Sequence, residues 1–286
     1  MIEARRKAAD AYNTIATELW ESGLEEAANI GFRAAAAIDL LDAELQSSWG
    51  GPFNGQAKRR ALFLDIVARI QPMVLIETGT YRGTTTQFMA ENFPGPILTC
   101  EANRRFFLQS QQKLARFPQV QPVECDSRLF LEKTLQDIQG PGCIFVYLDA
   151  HWEEDLPLAK ELEIISQSQL RAVVMIDDFA VPFDSDYSFD DYGPGKILNL
   201  ELVSFLRDLP IKFFFPAAAS AEETGARRGC CVITTSLELA ECLIQSPHLR
   251  HGDWRDWKLV EAESKIMTLE QLQQEVSDCR SALEQR

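Results

Sequence analysis

The run MVLIETGTYRG, residues 73–83, decides the fold. Four apolar residues lead into Glu77 and Thr78. Two glycines follow, Gly79 and Gly83, enclosing Thr80, Tyr81 and Arg82. An apolar run stopped by glycine and continued by the helix-like TTTQFMAE reads as strand, turn and helix. Gly79 suits a tight turn, and Gly83 lets a helix starting at Thr84 or Thr85 approach closely.

The same unit recurs downstream. Apolar runs at 96–102 (PILTCEA), 120–126 (VQPVECD), 143–150 (CIFVYLDA) and 172–179 (AVVMIDDF) alternate with helix-like stretches near 84–91, 104–116, 127–138 and 156–168. Strands and helices alternating at this length imply right-handed βαβ units and a parallel sheet covered on both faces. The end of the series differs. A helix is expected near 196–208, then KFFFPAA (212–218), a polar turn, and CCVITTS (230–236). Two strands joined without a helix pair antiparallel. The expected fold is therefore α/β: a Rossmann-like, seven-stranded, mostly parallel sheet with one antiparallel strand near its edge, and helices on both faces.

Upstream, residues 1–48 read as a helical layer interrupted at Gly23. Residues 49–55 (WGGPFNG) form a breaker cluster, and a third helix is expected near 56–70 with Leu62, Ile66, Val67 and Ile70 as its stripe. The clusters Arg5-Arg6-Lys7 and Lys58-Arg59-Arg60 read as solvated helix faces. The tail carries Leu269, Leu272, Val276, Cys279 and Leu283 at 3-4-3-4 spacing, about two heptads, so it reads as a helix and the possible start of a coiled coil. The expected division is an N-terminal helical cap at 1–52, a core domain at 53–250 and a helical tail at 251–286. Either set of terminal helices could pair two copies of the chain.

The chain has 286 residues, 25% charged and 46% hydrophobic, which is ordinary globular composition. Its net charge of −15 opposes binding to a nucleic-acid backbone or an anionic membrane. No run approaches the ~20 apolar residues of a membrane span, and the first residues lack the apolar core of a signal peptide. Seven cysteines form no CxxC pair. Reduced thiols and a cytoplasmic location are expected.

In an open parallel sheet, ligands bind beyond the carboxyl ends of the strands. Five successive strands end there in acids: Glu77, Glu101, Asp126, Asp149 and the pair Asp177-Asp178. Glu101 lies 24 residues beyond Glu77, where an acid accepts the hydroxyls of a ribose. Asp126 and Ser127 suit an adenine amine. A dinucleotide fold calls for G-x-G-x-x-G, with backbone amides at a pyrophosphate. Here Tyr81 stands at the middle glycine, and the Glu77 carboxylate would repel pyrophosphate. The set suits a cationic nucleoside bearing an amine and a sulfonium, which favours S-adenosylmethionine over NAD. Its expected contacts are Glu77, Gly79, Thr80, Tyr81, Gly83, Thr84, Glu101, Ala102, Asp126, Ser127 and Asp149.

Taken in order, ETGTYRG, CEAN, ECDS, LDAHW and IDDF resemble the class I methyltransferases. They are closer still to the metal-dependent O-methyltransferases of the catechol and macrocin-like, sugar-directed groups. The resemblance spans about 53–236. It implies a Mg²⁺ site at Asp149, Asp177 and Asp178, and hard oxygen ligands suit that ion. It also implies a general base two residues after the first metal acid. That position is His151, one of three histidines in the chain. Substrate contacts are expected from His151, Trp152 and the loop VPFDSDYSFDDYGPGK (181–196), through Asp184, Tyr187, Asp190 and Tyr192. Such a loop, about 15 residues without clear structure, is more often functional than a plain connector. Phe53 and Asn54 could close the other side of the pocket.

The implied activity is Mg²⁺-dependent transfer of a methyl group from S-adenosylmethionine to a hydroxyl of a small molecule with vicinal oxygens, such as a sugar or diol. Two other readings stay open at this level. One is an NAD-dependent oxidoreductase, against which the missing glycine argues. The other is a non-catalytic nucleotide-binding scaffold whose C-terminal heptads recruit a partner.

Overall fold

A computed structural model describes residues 2–41, 50–151 and 155–252. Trp152, Cys279 and the C-terminal heptads lie outside the described residues.

The N-terminal layer is a helical hairpin, α1 (Ile2–Glu21) and α2 (Glu25–Asp39). Gly23 makes the turn. Its φ is +76°, its N–H donates to Trp20 O, and Leu24 N–H donates to Leu19 O. That paired bonding satisfies carbonyls the helix end would leave open, and it favours glycine. The helices meet where Gly31 faces Ala16, too closely for a side chain at 31. Helix α3 (Ala57–Ile70) follows and buries Arg59, Leu62, Phe63, Ile66 and Ile70.

The series then unfolds as strand and helix: β1 (Val74–Thr78), α4 (Thr84–Asn92), β2 (Ile97–Glu101), α5 (Arg104–Leu114), β3 (Val120–Glu124), α6 (Ser127–Asp137), β4 (Ile144–Leu148), α7 (Leu158–Gln167) and β5 (Ala172–Asp177). These boundaries fall within about two residues of the sequence reading, because each apolar run is closed by a turn signal. The last part is β6 (Lys212–Pro216), β7 (Cys230–Thr234), α8 (Leu237–Ile244) and β8 (Leu249–Gly252).

Strand order is β3-β2-β1-β4-β5-β7-β6-β8. Strands β1 to β5 pair in parallel, and β7 runs antiparallel to both β5 and β6. The expected reversed strand is β7, inserted between β5 and β6. The sheet has one strand more than the seven expected: β8 pairs antiparallel with β6. Its sequence, LRHG, is too short and polar to signal a strand.

Alternating side chains feed two cores. Ile76, Val146 and Val174 pack under Leu131, Leu158 and Leu162 of α6 and α7. Leu75, Phe145 and Met175 pack under Phe63, Met89 and Leu243 of α3, α4 and α8. The helix expected at 196–208 is instead a series of turns with one short 3₁₀ segment, Ser204–Leu206. Buried Leu198, Leu200, Val203 and Leu206 do not keep a helical stripe there. The six described cysteines are free thiols. No described helix is long and apolar enough to cross a membrane.

Candidate active site

The carboxyl ends of β1, β2, β4 and β5 form one rim, and the strand order reverses direction between β1 and β4. Such a switch point opens a crevice above the sheet. Register sets the acids side by side: Leu148 pairs with Ile176, so Asp149 follows beside Asp177.

At Gly79 two backbone segments of the rim approach closely. Its φ is +80°, and a Cβ there would lie 2.2 Å from Asp149 O. Glycine is required because the loops after β1 and β4 touch. Glu77 is 1% exposed and accepts a hydrogen bond from Thr99 at 2.6 Å and another from Thr86. Burial raises its carboxyl to about 7, while the two hydroxyls pull it down. Glu77 thus sits beneath the crevice floor. Thr80 is buried and shares a hydroxyl hydrogen bond with Thr99. Thr84 opens α4 and accepts from Lys113 Nζ at 3.0 Å. Gly83, φ +68°, faces Leu114 and Ser110.

Glu101 is half-buried. Its Oε2 accepts from Tyr81 N–H at 2.7 Å and its Oε1 from Asn103 N–H at 2.8 Å. Ala102 between them is exposed. These bonds fix the carboxylate at the mouth of the crevice, and each oxygen keeps a further lone pair. Burial raises its carboxyl against those bonds. Asp126 caps α6 and pairs with Arg128, which holds it below the usual range. Ser127 is buried beside Glu161.

At the other end of the rim, ligand atoms of Asp149, His151 and Asp178 lie within 4.8 Å of one another. Asp149 is half-buried. Burial, then Asp177, Asp178, Glu77 and Asp190, push its carboxyl well above the ordinary range. Burial and the charge of Asp177 raise Asp178 to about 7, against Arg228. His151 is 5% exposed, and neither ring nitrogen has a hydrogen-bond partner. Its Nε2 lies 3.6 Å from Asp190 Oδ2. Burial lowers its pKa more than Asp190 and Asp177 raise it, so the imidazole is neutral near pH 7.

Asp177 departs from its expected place as a metal ligand. It is 1% exposed and forms a buried ion pair with Arg59. Its Oδ2 also accepts from Tyr147 OH at 2.7 Å and Asn54 Nδ2 at 2.9 Å. Burial opposes its ionisation, but Arg59 and Tyr147 outweigh burial and keep it charged. With these donors around it, Asp177 anchors the rim from below, and the buried His151 lies beside Asp149 and Asp178 instead.

Arg59 is the main correction to the sequence reading, which placed it on a solvated face. The apolar stripe of α3 runs 59, 62, 63, 66, 70, and Arg59 heads it. An arginine on a buried stripe is the signal that identifies it. Glu223 fixes its place by accepting from the N–H groups of Lys58 and Arg59 at 2.9 and 3.0 Å. Replacing Arg59 by methionine leaves the Asp177 charge buried. We expect a loss of about 3–5 kcal/mol in urea unfolding.

Arg228 was also missed. It donates to Asp178 Oδ1 at 2.7 Å and pairs with Asp190. Its position follows from the β5–β7 register, which sets Asp177 against Cys230 and carries Phe179 N–H onto Gly229 O. The buried Gln56 side chain grips the Arg228 backbone on both sides, at 2.8 and 2.9 Å.

The 181–196 loop divides. Asp190 reaches the site, and its N–H donates to Asp178 O at 3.0 Å. Tyr192 OH donates to Asp190. Asp184 instead accepts from Ser220 N–H and Oγ, and buried Tyr187 donates to Ala218 O at 3.1 Å. Those two, expected to meet substrate, tie the loop to the segment after β6. Asn54 bonds both Asp177 and Asp178, while Phe53 is fully buried in the core. Asn54, Tyr81 and Asp178 all have left-handed φ, 58°, 46° and 52°. Such strain in non-glycine residues gathers at functional sites.

Below the rim, Glu161 is 1% exposed with neither oxygen in a well-formed hydrogen bond. Burial raises its carboxyl to about 7, against Ser127 and Thr78. The folded protein keeps this proton where the unfolded chain has lost it. Stability therefore falls as pH rises from the ordinary value of 4.5 to about 7, then levels. Glu161→Gln should flatten this part of the profile and gain about 3 kcal/mol at pH 8, measured by urea unfolding at pH 5 and pH 8.

No protein-family model and no curated protein matches the chain. Solved structures do. An O-methyltransferase, TomG from Streptomyces achromogenes, solved with SAM, is 22% identical over 62% of this chain and 79% of its own, with a TM-score of 0.43. The Bacillus cereus O-methyltransferase solved with SAH is 16% identical over 80% of this chain and all of its own, TM-score 0.48. A putative O-methyltransferase from Klebsiella pneumoniae is 15% identical over 62% and 80%, TM-score 0.45. At these values the likeness carries no argument about activity, and the fold rests on the strand order itself. With β7 reversed between β5 and β6, the chain has a Rossmann-like, mostly parallel sheet, extended by one edge strand.

Proposed function

We propose that the chain is an S-adenosylmethionine-dependent O-methyltransferase that uses a divalent cation, Mg²⁺ by the resemblance, to methylate a hydroxyl of a small molecule with vicinal oxygens. A sugar or another diol is the favoured acceptor class. The observation that carries the reading is the convergence of Asp149, His151 and Asp178 at one end of the rim, with Glu101 at the other.

The donor set fits a cation. Two raised carboxyls and an imidazole with both nitrogens unpartnered are costly together without one. Asp149 and Asp178 would hold the ion, and such an ion lowers the pKa of a bound hydroxyl. His151, neutral and buried beside these acids, takes the hydroxyl proton. Asp190 faces the imidazole at 3.6 Å and stabilises its charged form once the proton arrives. Asn54 and Arg228 keep Asp178 in place, and Arg59 does so for Asp177. Glu101 would orient the ribose of the donor. The exposed apolar side chains Tyr12, Ile15, Ile30 and Leu41 on or just beyond the N-terminal helices favour self-association there.

The test is transfer of a labelled methyl group to a panel of sugars, diols and catechols, with and without a chelator. Chelator-sensitive labelling is expected. Labelling that ignores the chelator would refute the metal role. In His151→Gln, divalent-cation affinity should persist while kcat falls roughly 100-fold or more, as for loss of a general base. Loss of cation binding in that variant would make His151 a ligand rather than the base.

A further inference from the structure

The N-terminal hairpin has no part in the chemistry above, yet the residues that fasten it sit one turn from Glu101. Arg105 reaches out of α5 and meets Asp39 at the end of α2 with two parallel bonds, Nε to Oδ2 at 2.8 Å and Nη2 to Oδ1 at 2.9 Å. Its Nη1 donates to Asp10 of α1 at 2.9 Å. Asp39 is 1% exposed and Arg105 is 8% exposed. The neighbouring Arg104 donates to Asn29 of α2 at 2.6 Å and lies 5.1 Å above the Trp20 ring. Both helices of the hairpin thus grip the first two residues of α5. A two-pronged, desolvated arginine–carboxylate pair fixes direction as well as distance.

The same turn carries the groups that aim Glu101. Asn103 caps α5 by accepting from the N–H groups of Arg105 and Phe106, and its own N–H donates to Glu101 Oε1. Phe106 packs against the Tyr81 ring at 4.4 Å between centroids, and Tyr81 N–H donates to Glu101 Oε2. Each Glu101 oxygen is therefore held by a backbone N–H whose residue belongs to, or packs on, the turn that the hairpin grips.

We propose that the N-terminal hairpin is part of the nucleoside-binding corner, with Asp39 and Arg105 as positioning residues. Through them the hairpin sets the first turn of α5, and that turn sets the Glu101 carboxylate. The hairpin docks at the β2–β3 side of the sheet, away from Asp149 and Asp178, so it acts on donor binding and not on the cation. This inference rests on Glu101 being the ribose acid.

The experiment titrates S-adenosylhomocysteine and, separately, Mn²⁺ into the full chain and into Arg105→Lys, Asp39→Asn, their double variant and Glu101→Ala. Amide hydrogen exchange at Tyr81 and Asn103 is followed in each. We expect each single variant to weaken nucleoside binding roughly tenfold and the double variant to lose no more than one single. Exchange at both amides should quicken, and Mn²⁺ affinity should stay unchanged. Arg105→Lys keeps the charge and Asp39→Asn keeps the shape, so one folded variant suffices. Unchanged nucleoside affinity in both, with Glu101→Ala weakened, would overturn the proposal alone. So would an equal loss of Mn²⁺ affinity, which marks general destabilisation. Unchanged affinity in Glu101→Ala as well would overturn the ribose reading beneath it.

Discussion

Asp149→Ala should abolish chelator-sensitive methyl transfer, a loss of at least roughly 1,000-fold in kcat, while nucleoside affinity changes by less than about threefold. The size follows from what one carboxylate does for the cation. Asp149 and Asp178 are the two acids of the cluster, and Asp177 is already paired with Arg59. A lone carboxylate binds a hard divalent ion weakly, and the hydroxyl then loses its acidification. The Asp149 backbone still packs on Gly79, and its N–H still donates to Thr78 O, so the crevice keeps its shape. Removing Asp149 also relieves its crowding with Asp177, Asp178, Glu77 and Asp190, so the variant should be no less stable than the parent. Calorimetric titration of Mn²⁺ and of S-adenosylhomocysteine separates the two effects.

Glu101→Ala should do the reverse. A ribose bound by one carboxylate makes two charge-assisted hydrogen bonds, each worth roughly 1.5–3 kcal/mol. The substitution also frees Tyr81 and Asn103 N–H, which can turn to water at the open mouth. A net loss of about 3 kcal/mol, or roughly 100-fold in Kd for S-adenosylhomocysteine, is expected. Cation affinity should be unaffected, because Glu101 is not among the residues of the cation cluster. A Glu101→Gln variant should fall between, since it keeps the shape and loses the charge.

How much of this could be read from residues alone divides along physical lines. Every central strand was legible, because LIET, LTCE, FVYLD and VMID each pair an apolar run with an acid at or beside its end. Packing fixes the run and the acid fixes the direction of the rim. Gly23, Gly79 and Gly83 were legible because left-handed φ is a local demand. The short polar strand β8 was not, since LRHG gains its structure only from pairing with β6. The turns at 196–208 were misread because Leu198, Leu200, Val203 and Leu206 are buried by tertiary packing, which no local period announces.

The site shows the same boundary. That Asp149, Asp177 and Asp178 share a rim followed from strand ends. Which of them stays open to a ligand did not, because the answer lies in partners distant in sequence. Arg59 is 118 residues from Asp177, and Arg228 is 50 from Asp178. The 181–196 loop was legible as a unit, but only contacts divide Asp190, at the site, from Asp184 and Tyr187, which fasten it.

The central claim is that Asp149 and Asp178 gather one divalent ion beside a bound nucleoside. The direct measurement is anomalous diffraction from crystals grown with Mn²⁺ and S-adenosylhomocysteine. The account predicts one strong peak bonded to a carboxylate oxygen of each acid at about 2.1 Å, with the ribose hydroxyls on Glu101. A nucleoside in the crevice with no peak between Asp149 and Asp178, or a peak bonded to Asp177 with Arg59 displaced, would contradict it.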